Sequence, residues 1–557
     1  MLLSGSDILV KTLIEQGCDT VFGYPGGQIL NVYDSLYTHQ DQLNHILTAH
    51  EQGAAHAADG YARTTGKVGV VISTSGPGAT NLVTGIATAY LDSIPMVAIC
   101  GNVPTTQIGS DSFQEIDITG VTLPITKHNY FVGRVEALAD TIREAFVLAK
   151  SGRPGPVLID VPKDVQIAEC EYEPMPPVKK EESYAAKDVR IEAAAKIINS
   201  SKRPFIYFGG GLITAEAQEE MLALAEKIDA PLGCSLMGLS AIPTDHPRFL
   251  GMQGMHGHYA SSMAMHNADV IVSLGVRFND RVTGNRQKFA TGAKIIHIDV
   301  DGSELSKTVN AVCGLRGDVK LTLQKLLPMV NENQKPEWTG KINEFRQEEE
   351  SYLDNREGLT PRKAILTLNK HLGENTAVAT DVGQHQMWSA QNLRFKTSRR
   401  FISSGGLGTM GFGFGAAIGA AFGTKERSVL ITGDGSFGMN LNELATAVRY
   451  NIPIVVLIMN NGVLGMVRQW QTLFYNKHYS NTVLNRKTDF VAFAKAFGAD
   501  GEAVTTPEEL DSALDRAFST DGPYIIDCKI DKDEFVLPML PPNGSMDDII
   551  TKLEVEL

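Results

Sequence analysis

The segment Ile452-Pro-Ile-Val-Val-Leu-Ile-Met459 is apolar throughout, yet far shorter than the roughly 20 residues needed to cross a bilayer. A run of that length is expected to be a strand buried on both faces. Similar runs recur along the chain: VGVVIS, MVAICG, PVLIDVP, PFIYF, DVIVSL, KIIHID, SVLIT and YIID. Each ends in Gly, Pro, Asn, Asp or other turn-forming residues, and stretches of helical periodicity separate them. Strand, turn and helix in alternation predict doubly wound α/β domains with parallel sheets, whose ligands bind beyond the carboxyl ends of the strands.

At about 150 residues per domain, 557 residues suggest three or four such units. The breaks lie where composition changes. Glu169 to Asp188 reads ECEYEPMPPVKKEESYAAKD, rich in proline and charge, and predicts a linker. A second polar stretch, from NENQKPEW to DNREG, predicts another boundary, its later half reading either as an amphipathic helix or as a loose tether. The predicted domains are therefore 1–170, 189–328 and 361–540.

Composition narrows the partners. With 50 Lys and Arg against 64 Asp and Glu, the formal charge is −14, which disfavours nucleic acid and acidic membranes. The six cysteines are too dispersed for a disulfide framework and read as reduced thiols. The first residues have no secretory pattern, so the expected location is cytoplasmic. Neither HExxH nor a close Cys/His cluster is present, and there is no GxxxxGK[ST] loop.

The strongest constellation is Gly433-Asp434-Gly435 after SVLIT, followed by Asn460-Asn461 after IPIVVLIM. A carboxylate and an amide at two strand ends suit a hard divalent cation, leaving positions for a diphosphate, while glycines admit phosphate close to backbone amides. The alternative is a pair of ordinary capped turns. Gly209-Gly210-Gly211 after PFIYF reads as either a tight turn or a close approach to a dinucleotide. Glu51 follows HILTAH and opens a helix. It is either a first-turn charge or a single carboxylate aimed at a heterocycle nitrogen, and the small residues Gly53, Ala54, Ala55, Ala57 and Ala58 allow close packing against a partner or cofactor.

These features, with VFGYPGG, AHEQGAAHAADGYAR, STSGPGATN, DSFQE, RPGPVLIDVPKD, MHGHYA, GVRFNDRVTG, DVGQHQMW, SGGLGTMGFGFGAAIGA, GDGSFGMNLNEL and NNGVLGMVRQWQ, run from about residue 3 to about residue 548. In that order they resemble the thiamine diphosphate-dependent enzymes, and within them the acetohydroxyacid (acetolactate) synthase large subunits. The resemblance implies a pyrimidine-binding first domain, a central FAD-binding domain and a diphosphate- and Mg²⁺-binding third domain. It implies decarboxylation of pyruvate and transfer of the two-carbon unit to pyruvate or 2-ketobutyrate, the first common step of branched-chain amino-acid biosynthesis. The flavin-independent catabolic synthase, or another carboligase of the same fold, is the alternative.

By the same resemblance, Glu51 would meet the pyrimidine of thiamine diphosphate and Met410 would wedge between its rings. Asp434, Asn461 and the Val463 carbonyl would ligand Mg²⁺, with Gln384, His385, Gly408, Gly433, Gly435, Ser436, Gly465 and Met466 around the cofactor. Phe113, Gln114 and Lys163 would face substrate, where the bland readings are core packing, a capping amide and a solvated charge. Arg281 would meet the acceptor carboxylate and Trp470 would bound its pocket; a surface ion pair and a core indole are the alternatives. FAD would lie against Gly209, Gly210, Gly211, His256, Gly257, Gly275, Val276, Arg277, Asp299, Asp301 and Asp318, with Arg153 from the first domain. A homodimer is implied at minimum, possibly a tetramer, with a small regulatory subunit. Two departures stand out: Asn279 where the family usually has aspartate, and Phe414-Gly415 where it usually has Leu-Pro. Gly415 is expected to loosen the turn.

Overall fold

The computed structural model describes residues 1–179 and 182–552. It contains three six-stranded sheets and one short two-stranded sheet. The apolar runs form the sheet centres for the reason their composition suggests. Ile454–Asn460, for example, is buried along nearly its whole length and pairs in parallel with Ser428–Gly433 on one side and Tyr524–Lys529 on the other. Among the described residues no helix is long and apolar enough to cross a membrane, and all six cysteines are free.

The chain divides into two compact units. The first contains the described residues up to 179, Asn375–Gln386 and Ile402–Lys532; the second contains 182–374, Met387–Phe401 and 533–552. Within the first unit, one sheet has the strand order Asn44–Leu47, Thr20–Gly23, Gly69–Ser73, Met96–Asn102, Pro156–Pro162, His128–Phe131. The other has Phe401–Ile402, Ala377–Thr380, Ser428–Gly433, Ile454–Asn460, Tyr524–Lys529, Asp500–Val504. Both orders are 2-1-3-4-6-5 when each sheet's strands are numbered from its own first strand. The second unit carries the order Phe249–Met252, Leu232–Cys234, Pro204–Phe208, Val270–Leu274, Lys294–Asp299, Cys313–Arg316, all parallel. That is 3-2-1-4-5-6, a doubly wound order whose switch point lies between Pro204–Phe208 and Val270–Leu274.

Two helices join the halves of the first unit. Glu51–Thr65 and Phe412–Thr424 pack along each other through small residues and share one core with both sheets. A Cβ on Gly419 would overlap the Ala57 carbonyl, and one on Gly60 would overlap that of Ala416. The partner of the small-residue face that begins at Gly53 is therefore a helix of the same chain. Gly415, expected to loosen the chain, lies inside Phe412–Thr424 and serves a close approach: a Cβ there would lie 2.6 Å from the Gly53 carbonyl oxygen.

This packing yields a prediction with an internal control. Gly419→Ala gains helix propensity but drives a methyl into the facing backbone, and it is expected to lose about 1–3 kcal/mol. Gly340→Ala, in the exposed middle of Pro336–Glu350 where a Cβ meets nothing within 4 Å, is expected to gain about 0.5–1 kcal/mol. Thermal denaturation of both variants beside the parent checks the opposite signs.

Several boundaries move from their sequence expectation. Glu169–Glu171 is a strand paired antiparallel with Leu2–Ser4, so the expected linker begins as structure; its residues 180 and 181 lie outside the described residues. The helical stretch after STSGPG is two helices, Pro77–Asn81 and Val83–Asp92. The second polar stretch is helical over Pro336–Glu350, because Trp338, Ile342 and Phe345 recur at helical spacing and are buried.

Candidate functional site

Parallel pairing of Ser428–Gly433 with Ile454–Asn460, in register Gly433 with Met459, sets Asp434 and Asn461 at neighbouring strand ends. The backbone amides of Asn461, Gly435 and Asp434 itself lie beside the Asp434 carboxylate, where they favour its charged form. The carboxyl is 7% exposed. Burial pushes it up to about 6; the backbone donors oppose the rise and the nearby Asp527 carboxylate adds to it. Asn461 Oδ1 accepts from Val463 N at 3.1 Å, fixing the turn in which the Val463 carbonyl lies.

Around this pair Gln384, His385, Gly465 and Met410 come together. Gln384 opens Gln384–Asn392, and a Cβ on Gly465 would collide with its amide oxygen and come 2.9 Å from Asn461 Nδ2. His385 lies against Gly433. Burial holds its imidazole down to about 3, hence neutral, and its Nε2 is buried with no hydrogen-bond partner in the structure. Ser436 Oγ donates to the Val382 carbonyl at 3.0 Å. A Cβ on Gly435 would fall 3.9 Å from Met410 Cε, which puts the thioether beside the turn. Gly408 is exposed in the loop leading to Met410, and Met466 is the second residue of Gly465–Phe474.

The loop carrying Gly408 and Met410 is held by residues that sequence reasoning passed over. The Asp92 carboxylate accepts from the amides of Gly405 and Gly406 at 3.1 and 2.7 Å. Arg63, paired with Asp59 and Asp92 in a buried triad, donates to the Ser403 carbonyl at 2.9 Å. Thr88 and Thr409 share a hydroxyl hydrogen bond of 2.8 Å.

Glu51 is the first residue of its helix and is 9% exposed. Asn81 Nδ2 donates to its carboxylate at 2.9 Å; Asn81 was not singled out from the sequence, although it ends the quoted motif STSGPGATN. His50 caps the helix, its Nδ1 accepting from Gln52 N at 3.1 Å. On the same unit, Lys163 Nζ donates to the Gly27 carbonyl at 3.2 Å, Gln114 has φ +62 in a loop against Gly76, and Phe113 is 83% exposed rather than packed in a core. Trp470 is half-buried, its ring 5.5 Å from that of Phe474. Arg153 Nε donates to Ser93 Oγ at 2.8 Å.

In the second unit, the glycines at the switch point serve close approach. Cβ atoms on Gly209 and Gly211 would each come 2.7 Å from the Gly275 backbone, so the two turns interlock. Gly210 begins the helix Gly210–Ala215. Val276 is buried beside them, Arg277 half-buried, and the Val276 carbonyl meets His297 Nε2 at 3.0 Å. Asp299 and Asp301 turn the chain after Lys294–Asp299, Asp299 accepting from Asp301 N at 2.8 Å, while Asp318 caps Val319–Leu326. His256 is buried and held down to about 4 by burial and the nearby Arg281, its Nδ1 unpartnered in the structure. Gly257 turns tightly on Met252. The Arg281 side chain is 59% exposed, 3.8 Å from Asp280 and 3.7 Å from the Met255 sulfur. Asn279 caps Asp280–Thr283 through its side-chain oxygen, a task aspartate performs equally.

The donor set tests well for a cation-held diphosphate. Asp434 is a carboxylate that burial holds above the ordinary range despite its backbone neighbours, and an amide, a turn carbonyl and close-approach glycines surround it. Among the described residues no group of three His, Cys, Asp or Glu side chains forms a metal cage, so remaining ligands would come from the diphosphate, amide and backbone oxygens.

Comparison with known proteins agrees with this geometry. Residues 3–121, 191–326 and 381–528 match the N-terminal TPP binding domain, the central domain and the C-terminal TPP binding domain of thiamine pyrophosphate enzymes. The chain is 46% identical to the "probable acetolactate synthase large subunit" of Methanocaldococcus jannaschii, covering 100% of this chain and 96% of that protein. It is 43% identical to the acetolactate synthase isozyme 2 large subunit of Escherichia coli, over 99% and 100% of the two chains, and 42% identical to the acetolactate synthase large subunit of Haemophilus influenzae, over 98% of each. With strand ends, buried carboxylates and end-to-end similarity in agreement, the chain belongs to the acetolactate synthase large-subunit family of thiamine pyrophosphate enzymes.

Proposed function

We propose that this chain is the catalytic subunit of a biosynthetic acetolactate synthase, which joins the two-carbon unit of pyruvate to a second pyruvate or to 2-ketobutyrate. The reading is carried by full-length similarity to acetolactate synthase large subunits in a chain that keeps Glu51 and the Asp434–Asn461 pair together with their buried surroundings.

Thiamine diphosphate, when bound, supplies the electron sink that lets a 2-ketoacid lose CO2 and pass on its remaining carbons. The chain's own residues do the rest. Asp434, Asn461 and the Val463 carbonyl would hold Mg²⁺, which would supply the positive charge that a diphosphate needs. Gln384, His385, Gly408, Gly433, Gly435, Ser436, Gly465 and Met466 shape the surrounding walls, and Met410 gives the cofactor an apolar support. Glu51 holds and returns a proton at the pyrimidine nitrogen. On the first unit Phe113, Gln114 and Lys163 stand on the substrate side and Trp470 is the apolar wall for the acceptor; on the second unit Arg281 offers a planar cation suited to a carboxylate.

FAD is assigned to the second unit, where the 3-2-1-4-5-6 sheet brings Gly209, Gly210, Gly211, Gly275, Val276 and Arg277 to the switch point and Asp299, Asp301 and Asp318 to the ends of the next two strands, with His256 and Gly257 as further contacts. The relatives are named large subunits, which supports a smaller companion chain with a regulatory role; a homodimer of this chain is taken as the minimum assembly, with a tetramer as the larger alternative.

The test is a competition assay on protein reconstituted with thiamine diphosphate, Mg²⁺ and FAD, supplied with pyruvate with and without 2-ketobutyrate. Both acetohydroxyacids are expected, with 2-aceto-2-hydroxybutyrate favoured and both products lost without thiamine diphosphate. Acetolactate alone, formed equally without FAD, would favour the catabolic reading. CO2 release without either product would sink the carboligase assignment. In the same assay Trp470→Leu is expected to reduce the preference for 2-ketobutyrate about tenfold, since one methyl in an apolar pocket is worth about 1–3 kcal/mol.

A further inference from the structure

Glu443 lies outside the constellation just described, yet it is fully buried, with 0% exposure. Its carboxylate reaches from the end of the 3-10 turn Leu441–Glu443 to the start of the Glu51 helix. Glu443 Oε2 accepts from Ala49 N at 3.2 Å and Oε1 from His50 N at 3.0 Å, the two amides immediately before Glu51. Thr446 Oγ1 donates to Oε2 at 2.7 Å and orients the group. Opposite it is Gly53, where a Cβ would collide with Glu443 Oε1. The carboxylate occupies the space that only glycine leaves at that position of the helix.

The chain path links this clamp to the cation turn. Asp434–Asn440 leads directly into the 3-10 turn Leu441–Glu443, and Asn440 Nδ2 donates to the Gly411 carbonyl next to Met410, at 2.5 Å. One short segment thus begins at Asp434, touches the Met410 loop and ends on the backbone that presents Glu51. A buried carboxylate that accepts two consecutive amides fixes their orientation more firmly than neutral acceptors would, and it carries a large desolvation cost that packing alone does not require.

We infer that Glu443 is a positioning residue for Glu51: through the Ala49 and His50 amides it fixes the direction in which the Glu51 carboxylate points, and Gly53 is the space that lets it do so. The inference rests on the assignment of Glu51 as the proton-handling group, and it goes beyond that assignment by naming what aims it.

The experiment measures hydrogen–deuterium exchange at the acidic thiazolium carbon of bound thiamine diphosphate, by rapid acid quench and NMR, on the Mg²⁺-loaded enzyme without substrate. Four chains are compared: the parent, Glu51→Gln, Glu443→Gln and Gly53→Ala. Glu443→Gln replaces one acceptor oxygen by an amide that faces a backbone donor, whereas Gly53→Ala displaces the intact carboxylate. Both are expected to slow exchange about 10- to 100-fold while Mg²⁺-dependent binding of thiamine diphosphate changes less than threefold. Glu443→Asp, which keeps the charge, is expected to recover part of the rate. Exchange at the parental rate in both Glu443→Gln and Gly53→Ala, with Glu51→Gln slow, would overturn the inference and leave the Glu51 assignment standing. Parental exchange in Glu51→Gln would instead remove the assignment on which it rests. If Glu443→Gln fails to fold, Gly53→Ala alone decides, since its native-like melting with parental exchange would also overturn the inference.

Discussion

Glu51→Gln is expected to lower turnover about 10²- to 10⁴-fold at saturating thiamine diphosphate, Mg²⁺ and pyruvate, the usual contribution of a positioned acid–base group. The substitution preserves shape and an oxygen that can accept from Asn81, whose amide lies 2.9 Å from the carboxylate. At the first position of a helix the lost charge costs only about 0.3–1 kcal/mol. Melting and cofactor retention should therefore stay near the parent's while the rate collapses. Initial rates with circular dichroism melts provide the check, and activity within threefold of the parent would remove Glu51 from the proton-handling role.

Asp434→Ala is expected to weaken Mg²⁺-dependent binding of thiamine diphosphate on the order of 100-fold or more, because it deletes the single buried carboxylate at the turn, and each tenfold corresponds to about 1.4 kcal/mol. The parent should show a pH signature of the same group. Proton and cation compete for the carboxylate, so affinity is expected to fall about tenfold per pH unit once pH drops below about 6, to which burial raises this carboxyl. The apo-protein should respond in the opposite sense. A folded-state value above the unfolded 3.8 means that the folded chain binds the proton more tightly, so apo stability rises as pH falls through about 6 and levels off below about 4. The difference is worth about 3 kcal/mol at most. Asp434→Ala should abolish both trends. Titration calorimetry across pH and apo melting curves separate them, and a pH-independent affinity in the parent would exclude Asp434 as the ligand.

Much of this architecture was legible in the sequence because its signals are local. An apolar run such as Ile452 to Met459 can be satisfied by a strand covered on both faces, and GDG or NN directly after such a run falls at a strand end whichever strands become neighbours. Helix ends were less legible. The chain breaks at Leu82 between Pro77–Asn81 and Val83–Asp92, while the continuous apolar pattern gives no warning of it. Asn81 escaped notice because its partner, Glu51, lies thirty residues away.

The residues that hold the site in place were not legible at all. Asp92 reads as an ordinary charge at the end of a helix, and Glu443 as one more acid in NLNEL, until the fold brings them to the amides of Gly405 and Gly406 and of Ala49 and His50. Gly415 shows the same limit from the other side: the sequence suggests freedom, and packing against Gly53 turns it into close contact. By itself the sequence determined which segments become strands and helices and which chemistry-bearing residues stand at strand ends, since these follow from periodicity and turn chemistry within a few residues. Only the tertiary structure decided which helix fills the small-residue face, which strand ends become neighbours and which buried carboxylates orient the backbone, because those depend on contacts between segments hundreds of residues apart.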